Sequence, residues 1–430
     1  MSALENNERS TVSEKISNNN YESDIKYMLR YTKRLLEILG IWQMVTNDTS
    51  LKSKLLSRIS VILCLVSMAF LLVPTGLHIS LRVRDFASAR VSLGYFSPCV
   101  ASVLKYAFII YHSKNIKFCL KHMESDWMNV VGHHDRTIMI KNVKVEHVIT
   151  AASGLLLYSG GVFLHAVMPL IKGPSLNSRN ETIRPIVYPG YDFFLDPQIT
   201  PTYEIIFCTI CFSAFIRFTV TLTAVNLTAL FVNHTCGQAQ IVVSRLEKLF
   251  DHINNDATNE REIERRISFL VLRHVRGLRL STIIDQILKE ICLVEVVTAT
   301  LILCLLEYYV VEWKSLGVSQ TVTFSLLLVS YTYNIYMFCY IGELLKDQFQ
   351  QVGKAAYMIE WYRIPKKNKL SMILIIAIAN YPARKVTAGG LIELSINTFG
   401  VVSARKIYAN IMKTSIVYQN MLRTFSQAAD

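Results

Sequence analysis

Charge is scarce in this sequence. Asp, Glu, Lys and Arg make up 18% of its 430 residues, against 52% apolar. Few soluble domains are that apolar, so the composition points to a polytopic membrane protein. Acidic residues are the scarcer kind: 32 Asp and Glu stand against 45 Lys and Arg, a formal net charge of +13. In a membrane chain that excess belongs to cytosolic loops, and no nucleic-acid surface is expected. A secretory leader is lacking as well. The opening MSALENNERSTVSEK is polar, with no apolar core and no cleavage site, so the N-terminus is expected in the cytosol. The nine cysteines are scattered mostly through apolar segments and form no secreted disulfide framework. Cys208 and Cys211 make a CxxC, but inside an apolar segment and without a second ligand pair. Neither metal nor cofactor is expected there. An HExxH, a phosphate-cradling glycine loop and a Ser/His or His/Asp constellation at a membrane face are all missing, so the chain does not read as an enzyme. The internal repeats and matched Gly/Pro breaks of many transporters are missing too.

What is present is a series of long apolar segments. Residues 1–54 form a cytosolic N-terminal segment in which Tyr27–Trp42 reads as an amphipathic helix at the membrane surface. Residues 55–345 carry six expected spans: Leu55–Ile79, Val91–Tyr111 with a kink at Pro98, Val145–Ile171, Tyr203–Val232, Glu290–Val311 and Val318–Leu345. Lys172–Pro201 is rich in turn-formers and reads as an ordered lid. Residues 233–289 are charged but keep helical spacing, with a break near residue 258. They predict an extension of the fourth helix and a returning helix below the membrane. Residues 346–390 form a cytosolic anchor segment with a helix at 370–379 too short to span. Residues 391–430 hold a seventh helix and an extracellular tail. About 31 Lys and Arg fall on the cytosolic side of this scheme and about 8 on the other, which sets the N-terminus inside and the C-terminus outside. The expected fold is therefore all-α: seven transmembrane helices with a cytosolic helical anchor layer. The sequon at Asn180 falls on the outer side and is a glycosylation candidate.

The last helix carries a polar stripe. Asn410, Thr414, Val417, Met421 and Thr424 follow one another at steps of four, three, four and three, which places them on one helix face. Lipid does not tolerate such a face. Either it lines a pore or it bonds to neighbouring helices. Lys105, Arg217, Glu295 and Glu307 are charges within expected spans and are functional candidates on that ground. A pairing of Arg217 with Glu295 or with a lipid headgroup is open.

Within Trp361–Phe425, Trp361-Tyr362 with Pro365, Pro382 with Val386-Thr387-Ala388-Gly389, Leu394-Ser395 with Phe399, and Lys413-Thr414-Ser415 with Tyr418, Leu422 and Arg423 resemble the closing signature of the insect odorant receptors, a resemblance that covers nearly the whole chain and is most specific here. Phe338, Tyr340, Gly342 and Glu343 resemble it in the sixth span, as do Pro201 and Tyr203 at the start of the fourth. One departure is Gly400–Tyr408, nine extra residues that lengthen the last helix by about 13 Å and add Arg405 and Lys406. The resemblance implies a ligand-tuning subunit in a heterotetrameric, non-selective cation channel with the odorant co-receptor. It would lie in the plasma membrane of olfactory neuron dendrites. The gate is implied near the outer end of the last helix, at Met421, Thr424 and Phe425. Small volatile or apolar odorants are implied in the outer half of the bundle, between helices two, three, four and six. The aromatic residues there are Tyr95, Phe96, Tyr158, Phe163, Phe207, Phe212, Phe324 and Tyr331, though each ring also suits plain membrane packing. A gustatory receptor shares this topology and is the nearest alternative. A G-protein-coupled receptor, with its N-terminus outside, and a transporter fit less well.

Overall fold

The structure is a computed structural model, which describes residues 18, 20–46, 50–130, 132–176, 182–251, 258–311, 318–379 and 386–403. Asn180 and the six residues of the expected pore face, Asn410, Thr414, Val417, Met421, Thr424 and Phe425, lie outside them. The described residues are helical almost throughout. Short helices α1 (Tyr21–Met28), α2 (Arg30–Ile38) and α3 (Trp42–Val45) lead into α4 (Leu51–Arg82) and α5 (Phe86–Tyr111). Then come α6 (Ser113–Met128), α7 (His133–Val162), α8 (Thr202–Glu247), α9 (Thr258–Val311), α10 (Val318–Tyr357), α11 (Lys366–Ala379) and α12 (Ile396–Ser403).

Five helices are long and apolar enough to cross a membrane among the described residues: α4, most of α5, α7 with its continuation to Lys172, α8 and most of α10. Their outer faces are apolar. On α4, Leu55, Leu56, Ile59, Ile62 and Val66 are all exposed, as suits lipid contact. The start of α5 is set by Asp85, whose carboxylate accepts from the Ser88 amide at 2.8 Å.

α8 is the central post. Its 46 residues extend for about 69 Å at 1.5 Å per residue, roughly twice the hydrocarbon thickness. From Ile216 to Ala239 it is buried on every face, with α4, α5, α7, α9 and α10 packed around it. Its many threonines survive there by bonding back along the helix. Thr219 donates to the Phe215 carbonyl at 2.8 Å, and Thr223, Thr228 and Thr235 do likewise one turn up.

At their other ends α8, α9, α10 and α11 share a second core of Val242, Leu246, Ile267, Leu270, Val352, Met372 and Ile375. The charged stretch after residue 233 therefore forms two long helices, as its spacing indicates. α6 packs into the main core instead. Its Trp127 is fully buried and donates Nε1–H to the Met28 sulfur at 3.0 Å, while Asp24 of α1 pairs with Arg136 of α7 at 2.7 Å.

Two small hairpins join the helices. β1 (Ser175–Leu176) pairs antiparallel with β2 (Thr182–Ile183) in the lid, and β3 (Thr387–Ala388) with β4 (Ile392–Glu393) before α12.

Candidate functional site

The lid is built into the outer half of the bundle. Gly190 makes this possible. It has φ of 99°, and a side chain there would meet the Pro74 carbonyl of α4 at 2.1 Å. Next to it Tyr191 donates to the Phe70 carbonyl at 3.0 Å, and Asp192 pairs with Arg82. Those contacts turn Tyr188 inward, where it is buried with Leu71, Cys99, Ile206 and Ile210. Its ring meets Tyr95 edge-on at 5.7 Å. At its hydroxyl stands His165, in the π-helical turn Phe163–Val167 that carries α7 on to Lys172. The His165 Nδ1 lies 2.8 Å from the Gly161 carbonyl, which fixes Nδ1 as the donor. Nε2 then accepts from the Tyr188 hydroxyl at 3.0 Å.

The sequence-predicted aromatics occupy distinct places around this point. Tyr158 stacks on Phe215 at 5.5 Å and bonds through its hydroxyl to Thr219 at 2.8 Å. Phe96 packs over Gly76 of α4. Phe163 is half-buried on the π turn. Phe207 stacks on Tyr203 at 6.1 Å near the outer rim. Phe324 and Tyr331 pack on Ile302, Leu306 and Leu327 between α9 and α10. Phe212 is set apart, 43% exposed on the outer face of α8.

Beneath the aromatics lies Arg217 of α8, 6% exposed. Its guanidinium carbon sits 4.2 Å from the Phe218 ring centre, and Tyr188, Tyr331 and Cys99 interact with its charge. It forms no ion pair among the described residues. Glu295 is engaged elsewhere: its carboxylate takes Lys105 at 2.7 Å and the Asn334 amide, and the same Lys105 donates to Thr221 at 2.8 Å. The intramembrane ion pair is thus Lys105–Glu295, linking α5, α8, α9 and α10. Spacing could not reveal it, because the two residues are 190 positions apart.

A second constellation stands at the approach to the last helix. β3 is held to α9 by Asp285, which accepts from both the amide and the hydroxyl of Thr387 at 2.9 Å. Gly389 donates its amide to the Lys289 carbonyl at 2.7 Å. Leu394 then passes so close to α10 that a side chain on Gly342 would meet its carbonyl at 2.3 Å. Glu343 accepts the Ile396 amide at 3.3 Å, and Lys346 bridges Glu343 and Glu393. The Val-Thr-Ala-Gly and Gly-Glu motifs are the two halves of this clamp.

A helical polytopic membrane protein with this fold has known counterparts. Residues 85–404 match the family described as 7tm odorant receptor, and the chain belongs to that family. Odorant receptor 13a of Drosophila melanogaster is 20% identical over 277 residues, 61% of this chain and 63% of the relative. Odorant receptor 67a of the same species is 25% identical over 156 residues, 34% of this chain and 36% of the relative. The chain thus matches less than two thirds of the length of these relatives. The olfactory receptor OR5 of Machilis hrabei, solved in complex with eugenol, aligns with a TM-score of 0.75. It covers 94% of this chain and 100% of that one at 15% identity, a likeness of fold. OR5 in a second structure gives a TM-score of 0.74 at 14% identity. These counterparts are receptors and not enzymes.

Proposed function

We propose that this odorant receptor is the ligand-recognising subunit of a non-selective cation channel formed with an odorant co-receptor in a heterotetramer. The observation that carries this is the inward-turned lid: Tyr188 closes the outer bundle over a cluster of aromatic rings, which suits a small, largely apolar odorant. Tyr95, Phe96, Tyr158, Phe163, Phe207, Phe324 and Tyr331 are the contact set, with Phe212 facing outward in this state. The channel opens because the odorant binds one arrangement of the bundle better than the other. α10 carries Phe324 and Tyr331 in its first half and Gly342 and Glu343 about three turns beyond Tyr331. A shift of α10 therefore reaches the clamp on Leu394 and, through α12, the last helix. That helix lines the pore with Asn410, Thr414 and Val417 and closes it at Met421, Thr424 and Phe425 by dewetting. The subunit sits in the plasma membrane of olfactory neuron dendrites, N-terminus inside, with a glycan at Asn180.

The test is electrical. In oocytes, a volatile panel should evoke cation current only when this chain and the co-receptor are expressed together. Volatile-evoked current without the co-receptor, or none with both chains at the surface, would remove this reading. Glycosidase should increase the mobility of the wild-type chain and leave Asn180→Gln unchanged. An unglycosylated Asn180 would count against the assigned orientation.

A further inference from the structure

Arg217 is costly where it stands. α8 enters the bundle at Thr202, so Arg217 lies about 22 Å along it at 1.5 Å per residue, deep among apolar side chains. A guanidinium does not lose its proton in proteins, so burial cannot neutralise it. Buried charges are ordinarily paired. Arg217 has no carboxylate partner among the described residues, and its Nε has no hydrogen-bond partner at all. One turn towards the outside on the same face, the fully buried Ser213 hydroxyl is also unpartnered. The acceptors nearby are neutral. Arg217 hydrogen-bonds to the Tyr331 side chain and Tyr188 faces its charge, which leaves the Nε donor and the full positive charge without an anionic partner. Two unsatisfied donors therefore point at one need, an acceptor supplied from outside the chain.

We propose that Arg217 and Ser213 form a head-group subsite for a carboxylate-bearing amphiphile. This rests on the channel reading above and names the ligand class. The aliphatic tail lies against the aromatic rings and the carboxylate meets the guanidinium at the floor. A planar, delocalised cation with forked donors suits a carboxylate better than a hydroxyl or an ester carbonyl. In the desolvated bundle the pair forms with little competition from water. Phe218 and the tyrosine hydroxyls hold the charge between ligands.

The experiment uses the full chain with its co-receptor in oocytes. Hexanoic, octanoic and decanoic acids are applied at pH 7.4, each beside its methyl ester and the 1-alcohol of equal length. In the wild-type receptor the acids should open the channel. Arg217→Gln should raise their half-maximal concentration about 30-fold, the scale of a hydrogen bond to a charged group. Its response to the esters should stay within about 3-fold, and Arg217→Lys should recover part of the acid response. The ratio of acid to ester sensitivity cancels differences in membrane partitioning and is unmoved by a merely structural role. Equal shifts for acids and esters would overturn the proposal. So would silent acids beside active esters or alcohols, which would leave the channel reading standing. Silence to all three series in a surface-labelled complex would overturn both. If Arg217→Gln does not reach the surface, the wild-type acid response and Arg217→Lys decide by the same criteria.

Discussion

At the scale of single residues, the bundle depends on charges that only make sense in pairs. Lys105 and Glu295 are almost fully buried, at 4% and 3% side-chain exposure, and each supports other polar groups. Removing one partner of a buried pair typically costs about 3–5 kcal/mol, whereas replacing both by apolar groups of similar size is often neutral. Lys105→Met and Glu295→Leu should each cut surface expression strongly. The Lys105→Met, Glu295→Leu double variant should restore much of it, and cell-surface labelling of all three decides. Additive losses would mean that the two residues act separately. The packing of α6 on α8 and α9 holds a different charged cluster. Burial pushes the Asp126 carboxyl up, but His234 at 3.0 Å, Arg276 at 2.9 Å and His122 more than offset this and hold it below the usual range. Burial holds His122 below its ordinary value of 6.5, and its Nε2 accepts from Arg276 at 3.2 Å. The fold therefore prefers His122 neutral. Its contribution is complete above 6.5 and is lost as pH falls below that, when the unfolded chain takes up the proton. The Asp126 share changes only at lower pH, through the carboxylate range. Between pH 7.5 and 5.5 the melting temperature of the detergent-solubilised protein should drop less in His122→Gln than in wild type. Sequence placed Lys105 and Glu295 as intramembrane charges but could not join them. Three-dimensional proximity across 190 residues leaves no trace in spacing, and the same holds for Asp126 and His234.

At the scale of elements, legibility follows length. α8 could be read as one helix continuing past the apolar stretch because its apolar spacing continues after the charged residues begin. The lid could be read as ordered but not as inward-turned, since nothing in Pro189-Gly190 says that Pro74 waits on the other side. The clamp was visible only as a motif. Val386-Thr387-Ala388-Gly389 and Gly342-Glu343 resemble family signatures, yet sequence alone gave no reason for those residue types. The reason is the approach of Leu394 to Gly342. A Cβ there would lie 2.3 Å from a backbone oxygen, so helix or hairpin must move. Gly342→Ala should therefore abolish ligand-evoked current or surface expression. Gly277→Ala, in a helix with nothing within 4 Å of the new methyl group, should be tolerated and gain about 1 kcal/mol of helix propensity. Comparable behaviour of the two variants in surface labelling and current would show that the clamp has room to spare.

At the scale of the whole molecule, continuous helices join the lid-covered half of the bundle to the clamp. α9 carries Glu295 of the ion pair and Asp285 of the clamp on one continuous helix. α10 joins the aromatic set to Gly342. Both helices thus run from the lid-covered half to the β3–β4 pair before α12, the route along which the proposed coupling would pass. That path has a use only if the last helix forms the pore, and its face can be tested by position. At 100° per residue, residues 410, 414, 417, 421 and 424 cluster within about 80° of arc, while Met412 and Gln419 fall opposite. Single cysteines at these seven positions, co-expressed with the co-receptor, should divide cleanly. A charged thiol reagent applied during odorant should block current at the five stripe positions and spare Met412→Cys and Gln419→Cys. Wild type controls for native thiols such as the exposed Cys208. Block at all seven would mean a helix wetted all round. Block at none, with ligand-evoked current intact, would return the stripe to its other role of bonding to neighbouring helices. It would also place the pore on an element that neither α9 nor α10 drives directly.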